Sequence, residues 1–490
     1  MENVLPVIRV LPPLQRVKAD KNYVLSRDIT QCEWERMQRY ARRVREVHFI
    51  DDHAGPPEIA HSVWTFLARW VAPGQGLLPR LRCLTGLIVA EADPGHILLF
   101  SPSLRQLGLM ENGCFNASIF WTSNVIVEVA ERTVFPRLES LRVDLPKFLR
   151  GPRPLGIPFS THLMHLRELE ITEPVLVEVP FLQALAALRE LRKLSLRPGV
   201  RALKGFRVPR ETFDALRHLT LKADPLSLRR FLYTTRPRHL TTFNLHVVDW
   251  CRCSDDAAIR HVHTAISHIP SWKYIPTLSV TLQGGAGPRL APLLAPTRAF
   301  RWLTHVHITL ESCTAELVVT ATELLAFAVA WPDVVVFELA LARCDAGNEI
   351  SRVPDAPTAH TLLALVARLP RLERLTLPYI SLVDGEIPDV HNLPMDEQSG
   401  VTALRVCVVN DGDWVDAGAR REFAIFVDQL FPNWDLDDES PSPFVPNNER
   451  VEWRDIEEIV GTLRAGRELA RELRRRRKLQ KRQEVGLLEQ

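Results

Sequence analysis

The chain has 490 residues, a formal net charge of +2, 46% hydrophobic residues and 24% charged residues. That apolar content supplies a packed core and excludes a disordered, charge-extended chain. The near-balanced charge steers the molecule as a whole neither towards nucleic acid nor towards an anionic membrane.

At the start, Met1-Glu2-Asn3-Val4-Leu5-Pro6 shows no basic stretch followed by an apolar run, so no secretory signal is expected. Thr30-Gln31-Cys32-Glu33 is a capping-box sequence. Trp34, Met37, Ala41 and Val44 follow at helical spacing, which predicts a helix lidding one end of the core within an N-terminal capping segment, 1–43.

From there to residue 436 a leucine-spaced phrase returns about a dozen times. Its clearest copy is Leu104-x-x-Leu107-x-Leu109-x-x-Asn112-x-Cys114. The same frame returns at Leu138/Leu141/Val143, Leu166/Leu169/Ile171, Leu191/Leu194/Leu196, Leu216/Leu219/Leu221 and Leu240/Phe243/Leu245. It continues at Ile275/Leu278/Val280, Leu303/Val306/Ile308, Val334/Phe337/Leu339, Leu372/Leu375/Leu377 and Leu404/Cys407/Val409. Early copies stand at Val44/Val47/Phe49 and near Leu84/Leu87/Val89, the latter with a register that could equally start at Leu81.

Length alone suggests about three domains. The repeat overrides that, because stacked repeats share one continuous core. The expected fold is an α/β leucine-rich-repeat solenoid over 44–436, with strands on the concave face, helices on the convex face and helical caps. Intervals from Leu138 to Leu240 of about 24 to 28 residues suit a strand and a helix per repeat. Helices are predicted over Glu58–Val71, Val179–Leu191, Leu226–Tyr233, Asp255–His268, Ala315–Ala330 and Thr358–Leu369. Proline before the next strand, as at Pro136 and Pro370, stops a helix ahead of the ladder.

The apolar run Thr314–Ala330 carries Glu316 and Glu323 and is too interrupted to span a bilayer. A last helix is expected over Trp414–Phe431, and Pro432–Leu436 could add a final strand. An acidic Ser/Pro linker follows at 437–448, and a basic helix at 449–490. In that helix Trp453, Ile456, Ile459, Val460 and Leu463 form an apolar stripe fit to dock on the last repeat.

In a strand L-x-x-L-x-L-x the third, fifth and seventh positions face away from the core. They place Glu168, Glu170 and Thr172 beside Lys193, Ser195 and Arg197, then His218, Thr220 and Lys222. Thr242, Asn244 and His246 follow, then Thr277, Ser279 and Thr281, then His305, His307 and Thr309. Such a face suits a bipolar peptide or an acidic target segment, although any exposed sheet must be polar. In the tail, Arg464–Arg482 holds ten Lys/Arg against two Glu. Arg474, Arg475, Arg476, Arg477 and Lys478 read as a solvated helix or as a nuclear-import or polyanion-binding segment.

Metal and catalytic readings are weaker. Cys251-Arg252-Cys253 with His261, His263 and His268 has zinc-ligand types at poor spacing, so no metal is expected. Gly284-Gly285-Ala286-Gly287 lacks the Lys-Ser/Thr of a phosphate cradle. Acidic pairs such as Asp51-Asp52 sit at repeat exits, and no nucleophile, base and orienting acid assemble. No enzyme and no cofactor are expected. The eight cysteines show no paired spacing, and Cys114, Cys313 and Cys344 read as reduced core residues of a cytoplasmic or nuclear protein. On that reading the sequon at Asn116 carries no glycan.

Val10-Leu11-Pro12-Pro13-Leu14, Ile29-Thr30, Trp34 and Tyr40-Ala41-Arg42-Arg43-Val44-Arg45 together resemble fungal F-box proteins with leucine-rich repeats. Phe426-Val427-x-x-Leu430-Phe431-Pro432 is similar to the terminal repeat of that family, so the likeness spans Leu11 to Leu436. Met1–Val10 departs from it, lacking the Leu-Pro-x-Glu-Ile/Leu opening, and the F-box is expected to be missing or truncated here. The resemblance implies the substrate-recognition subunit of a cullin–RING ubiquitin ligase, holding a target protein while ubiquitin is transferred by others. The ligase adaptor would be a partner if an F-box is encoded upstream. The alternative is a free-standing repeat scaffold without ligase docking. A repeat-built activator of a GTPase is a third class, for which no motif is present.

Overall fold

The structure is a computed structural model. It describes residues 4–17, 22–49, 59–72, 74–88, 94–110, 137–144, 153–154, 163–200, 213–248, 255–269, 274–283, 297, 300–311, 319–341, 355–382, 387–388, 400–410, 417–436 and 451–488. It divides into two compact units, Met1–Thr241 with Ser267–Ser271, and Thr242–Ile266 with Trp272–Gln490.

The first unit opens with helix α1 (Leu5–Ile8) and a hairpin of β1 (Leu14–Arg16) and β2 (Tyr23–Leu25), which the sequence pattern did not announce. Helix α2 (Gln31–Ala41) follows with both capping-box bonds in place: Glu33 N donates to Thr30 Oγ1, and Thr30 N donates to Glu33 Oε2. Trp34, Met37 and Ala41 are buried as the stripe requires. Trp34 stacks on Trp70, just past α3 (His61–Ala68), with ring centroids 5.7 Å apart.

A parallel ladder then runs through β3 (Glu46–His48), β4 (Cys83–Ile88), β5 (Gln106–Met110), β6 (Ser140–Asp144), β8 (Glu168–Val177), β9 (Lys193–Val200) and β10 (His218–Ala223). The short β7 (Arg153–Pro154) pairs with β8 off this path. Helices α4 (Val179–Ala186) and α5 (Pro225–Thr235) belong to the same unit. Register places Val47, Leu84, Leu107, Leu141, Leu169, Leu194 and Leu219 in one row, all buried. Each such leucine stabilises the fold by roughly 1.5–3 kcal/mol relative to exposure.

The register settles the early ambiguity. Leu84 pairs with Leu107, the second leucine of its frame, so that copy starts at Leu81. One extra residue then separates Leu84 from Leu87, which pairs with Leu109. The bulge needs Gly86, at φ +70°, because a Cβ there would overlap the Phe49 carbonyl oxygen.

The second unit repeats the plan through β11 (Thr242–Val247), β12 (Thr277–Gln283), β13 (His305–Glu311), β14 (Val336–Leu341), β15 (Arg374–Ser381) and β16 (Ala403–Asn410). Its helices are α6 (Asp255–Ser267), α7 (Ala321–Ala330), α8 (Ala359–Arg368), α9 (Ala417–Leu430) and α10 (Val451–Leu488). Helix α7 starts at Ala321 rather than Ala315, because Thr320 and Glu323 form a capping box there.

Two expectations are corrected. The last frame is not Leu404/Cys407/Val409, since Leu404 pairs with Leu375 and is the second member of Val401/Leu404/Val406. Residues 432–436 form turns rather than a strand, although Asp435 N still donates to Thr402 O. Trp453, Ile456 and Val460 of α10 are buried, and α10 packs on α9 and β16, with Trp453 5.7 Å from Trp434. No helix among the described residues is long and apolar enough to cross a membrane. The linker 437–448, Asp51-Asp52, Cys114, Asn116, Gly284–Gly287, Cys313 and Cys344 lie outside the described residues.

Candidate functional site

Alternation puts polar side chains on the sheet face opposite the leucine row, and parallel register stacks them strand by strand. In the first unit Glu168 lies level with Lys193 and Lys193 with His218; Glu170 lies level with Ser195 and Ser195 with Thr220. Six residues expected on this face come together there: Glu168, Lys193 and His218 exposed, and Glu170, Arg197 and Lys222 half-buried. Arg197 faces Pro174 because a register shift separates Glu170 from Pro174.

Over these strands lies a cleft of about 230 Å³. Thr85, Gln106, Ser140, Arg142, Glu170 and Lys193 contribute to its lining, and Gly108 forms part of its floor. A Cβ at Gly108 would come within 3.2 Å of the Thr85 Cα, so the hollow owes part of its depth to that glycine. Arg142 Nε donates to Asp144 at 2.8 Å, while Ser140 Oγ donates to Glu168 Oε2 at 3.4 Å. The hydrogen bond to Asp144 raises the Arg142 pKa further.

In the second unit Asn244, Ser279, His307 and Glu338 stack in one row, with Thr376 and Arg405 continuing it. His307 Nδ1 and Glu338 Oε2 stand 2.7 Å apart, and Arg374 Nη1 lies 3.8 Å from Glu338 Oε1. Burial pushes the Glu338 carboxyl up. The hydrogen bond from His307, with the charges of His307, Arg374 and Arg405, outweighs it and holds the group below the usual carboxylate range. His305 shares a 2.9 Å hydrogen bond with Thr304. Asn244 and His246 are half-buried, whereas Thr281 and Thr309 are buried and offer no surface to a partner.

Glu338, Arg374 and Arg405 were within reach of the same pattern, one to three repeats further on. The second position of the frame is a larger omission. It too is solvent-facing at the strand entry, and in the first unit it is filled mostly by arginine.

Arg474, Arg475, Arg476 and Arg477 are all exposed on α10, and Arg476 Nε meets Glu472 at 2.9 Å; the Lys478 side chain lies outside the described residues. Two arginines of the basic run are not solvated extensions. Arg464 Nε donates to Asp428 Oδ1 at 2.9 Å and its other nitrogens donate to the carbonyls of Phe431 and Trp434, while Arg467 also pairs with Asp428.

Cys251 and Cys253 lie outside the described residues. His268 packs edge-on against Tyr233 at 5.0 Å, and burial, then Arg236 and Arg229, lower its pKa. No group of three or more potential ligands for a metal stands together among the described residues. No family model matches this chain, and no curated protein matches it at a significant level.

Proposed function

We propose that the chain is a leucine-rich-repeat solenoid with helical caps that binds a target protein on the polar face of its strands. In this reading it serves as the substrate-recognition subunit of a cullin–RING ubiquitin ligase. The observation that carries protein binding is the in-register polar row above a continuous buried leucine row. Acidic, basic and hydrogen-bonding side chains are fixed there at strand spacing on a rigid sheet, which is how a surface gains specificity by charge complementarity. The ligase role rests on the resemblance to fungal F-box repeat proteins.

The test is affinity purification of the full chain, tagged at its C-terminus and expressed from its native locus, with mass spectrometry of co-eluting proteins. It is run beside a Glu170→Arg/Lys193→Glu variant. The expected result is a cullin and its adaptor with both proteins, and a further partner with wild type that the variant loses. Partners without any ligase component make the chain a free-standing scaffold. An unchanged partner set in the variant removes the polar face from target binding.

A further inference from the structure

Six rungs of the first unit and four of the second are closed by the same backbone device. The residue at the second position of the frame and the one after it both donate their N–H to a single carbonyl on the preceding strand. In the first unit Arg82 N and Cys83 N donate to Arg45 O, and Arg105 N and Gln106 N donate to Arg82 O. The series continues with Glu139 and Ser140 on Arg105 O, Arg167 and Glu168 on Glu139 O, Arg192 and Lys193 on Arg167 O, and Arg217 and His218 on Arg192 O. Six arginines and one glutamate therefore follow one another at strand spacing, about 4.8 Å per rung and about 29 Å from first to last. Arg45, Arg82, Arg105, Arg167 and Arg192 are exposed and Arg217 is half-buried.

The same backbone position in the second unit carries Pro276, Thr304, Val335, Glu373 and Thr402, without one cation. The backbone therefore does not demand arginine. Nor do the arginines mainly neutralise the protein's own acids. The side chains of Arg82 and Arg192 have no partner among the described residues, and Arg217 uses one terminal nitrogen on the carbonyls of Asp214 and Leu216. Arg43, Arg80 and Arg137, one residue before the frame in three rungs, widen the strip and are exposed. Arg137 also lines a cleft of about 350 Å³ beside Pro79 and Ser103.

We propose that this arginine ladder at the strand-entry edge of the first unit binds an acidic, extended segment of a protein partner. It is a second surface, and it stands whether or not the polar strand face holds a target. The chain itself shows the chemistry. Glu139, the one acid in the series, sits 3.5 Å from Arg105 and 3.7 Å from Arg167, a carboxylate shared by the two arginines beside it. A guanidinium fork matches carboxylates in this way wherever a further one is offered. The length corresponds to about nine residues of extended chain.

One feature favours an acidic peptide over nucleic acid. No Phe, Trp or Tyr occupies the strand-entry positions, so the stacking platforms that accompany cations in single-strand channels are missing.

The experiment measures fluorescence anisotropy of a labelled oligo-glutamate peptide and a labelled oligo-uridine RNA with the full chain at low and moderate salt. Two variants accompany it: Arg45→Gln/Arg82→Gln/Arg105→Gln/Arg192→Gln in the ladder, and Arg474→Gln/Arg475→Gln/Arg476→Gln/Arg477→Gln in the tail. The ladder variant should weaken peptide binding by roughly tenfold or more, with the tail variant close to wild type. A thermal melt matching wild type shows that the ladder variant is folded. A lysine version of the same four positions keeps the charge and, lacking the fork, should bind with intermediate affinity. The proposal is overturned if the peptide does not bind, if binding disappears with the tail instead, or if the ladder binds only RNA.

Discussion

The two units share a backbone and differ in where they keep their charges. In the first, ion pairs such as Arg105–Glu139 and Arg167–Glu190 are formed by side chains roughly 37–49% exposed, at the edge of the sheet. The second also has exposed pairs, such as Arg371–Asp333, but several of its polar groups are withdrawn. Tyr379 is 3% exposed, accepts from Val319 N at 2.9 Å and donates to Val319 O at 2.8 Å. Trp331 Nε1 donates to Thr297 O at 2.8 Å, and the Asp428 side chain is 3% exposed between Arg464 and Arg467. Exposed pairs contribute little to stability and remain available to a partner, whereas buried ones fix the fold and cannot be lent out. One repeat geometry thus supports a recruiting edge in one unit and internal ties in the other.

Five substitutions break or sharpen that contrast. The largest effect is expected where the units do not differ, in the leucine row. Leu194→Asp places an unpaired charge in the core and should cost more than about 4 kcal/mol. Hydrogen exchange should show the loss first in the first unit, and Leu278→Asp should do the same in the second. A Leu194→Asp protein that melts like wild type would mean that the strand register is wrong.

Asp428→Ala removes the acid that ties α10 to α9 and should cost about 2 kcal/mol, the exposure of the two arginines reducing the penalty for a buried pair. A red shift of Trp453 emission and faster proteolysis within α10 are the readouts; unchanged protection would detach Asp428 from that role.

Tyr379→Phe leaves the Val319 N–H and C=O without their partner and should cost about 1–2 kcal/mol, largely independent of salt. Burial pushes the Tyr379 hydroxyl up to about 12 from an ordinary 10.0. Its contribution is complete below the unfolded value and is lost as pH rises from there towards the folded one. Wild type should therefore lose stability between these values more steeply than Tyr379→Phe in alkaline melts.

Glu338→Gln is the smallest change, below about 1 kcal/mol near neutrality. The carboxyl is held below its ordinary 4.5, so its contribution is present above that pH and fades as pH falls through the lower, folded value. The gap between variant and wild type should close in acid. A gap that widens there would reverse the sign assigned to the His307–Glu338 pair.

Most of the ladder was legible because a period of two on a sheet buried on one face leaves little freedom. From Leu107 to Leu219 in the first unit, and from Phe243 to Leu375 in the second, the second position of the frame follows from the spacing alone. Legibility failed where both parities of a strand are apolar. In β16, Leu404/Cys407/Val409 satisfies the spacing as well as Val401/Leu404/Val406, and only pairing with β15 selects the second. It wavered again at Gly86, where an inserted residue makes three positions do the work of two. The hairpin β1–β2 had no turn signal, its connecting residues lying among Lys and Asp rather than glycine.

The candidate site was half legible. Positions pointing straight out of the sheet were found by alternation, and Glu168, Glu170 and Lys193 lie together as expected. The arginines at the strand entry escaped because they belong to the turn into each strand, a place that face alternation does not describe. Their pattern appears only when the repeats are laid beneath one another column by column.

A parallel ladder has a grammatical problem at its last line: each strand opens with a carbonyl that invites another. On the preceding rungs of the second unit Thr304 O and Val335 O receive two N–H groups from the strand that follows. At Thr402 the invitation is answered by Asp435 N, from a turn that is not a strand and offers nothing further to copy. The chain punctuates its own repetition there. A molecule cut before Asp435 would leave that sentence open to be continued by a second molecule.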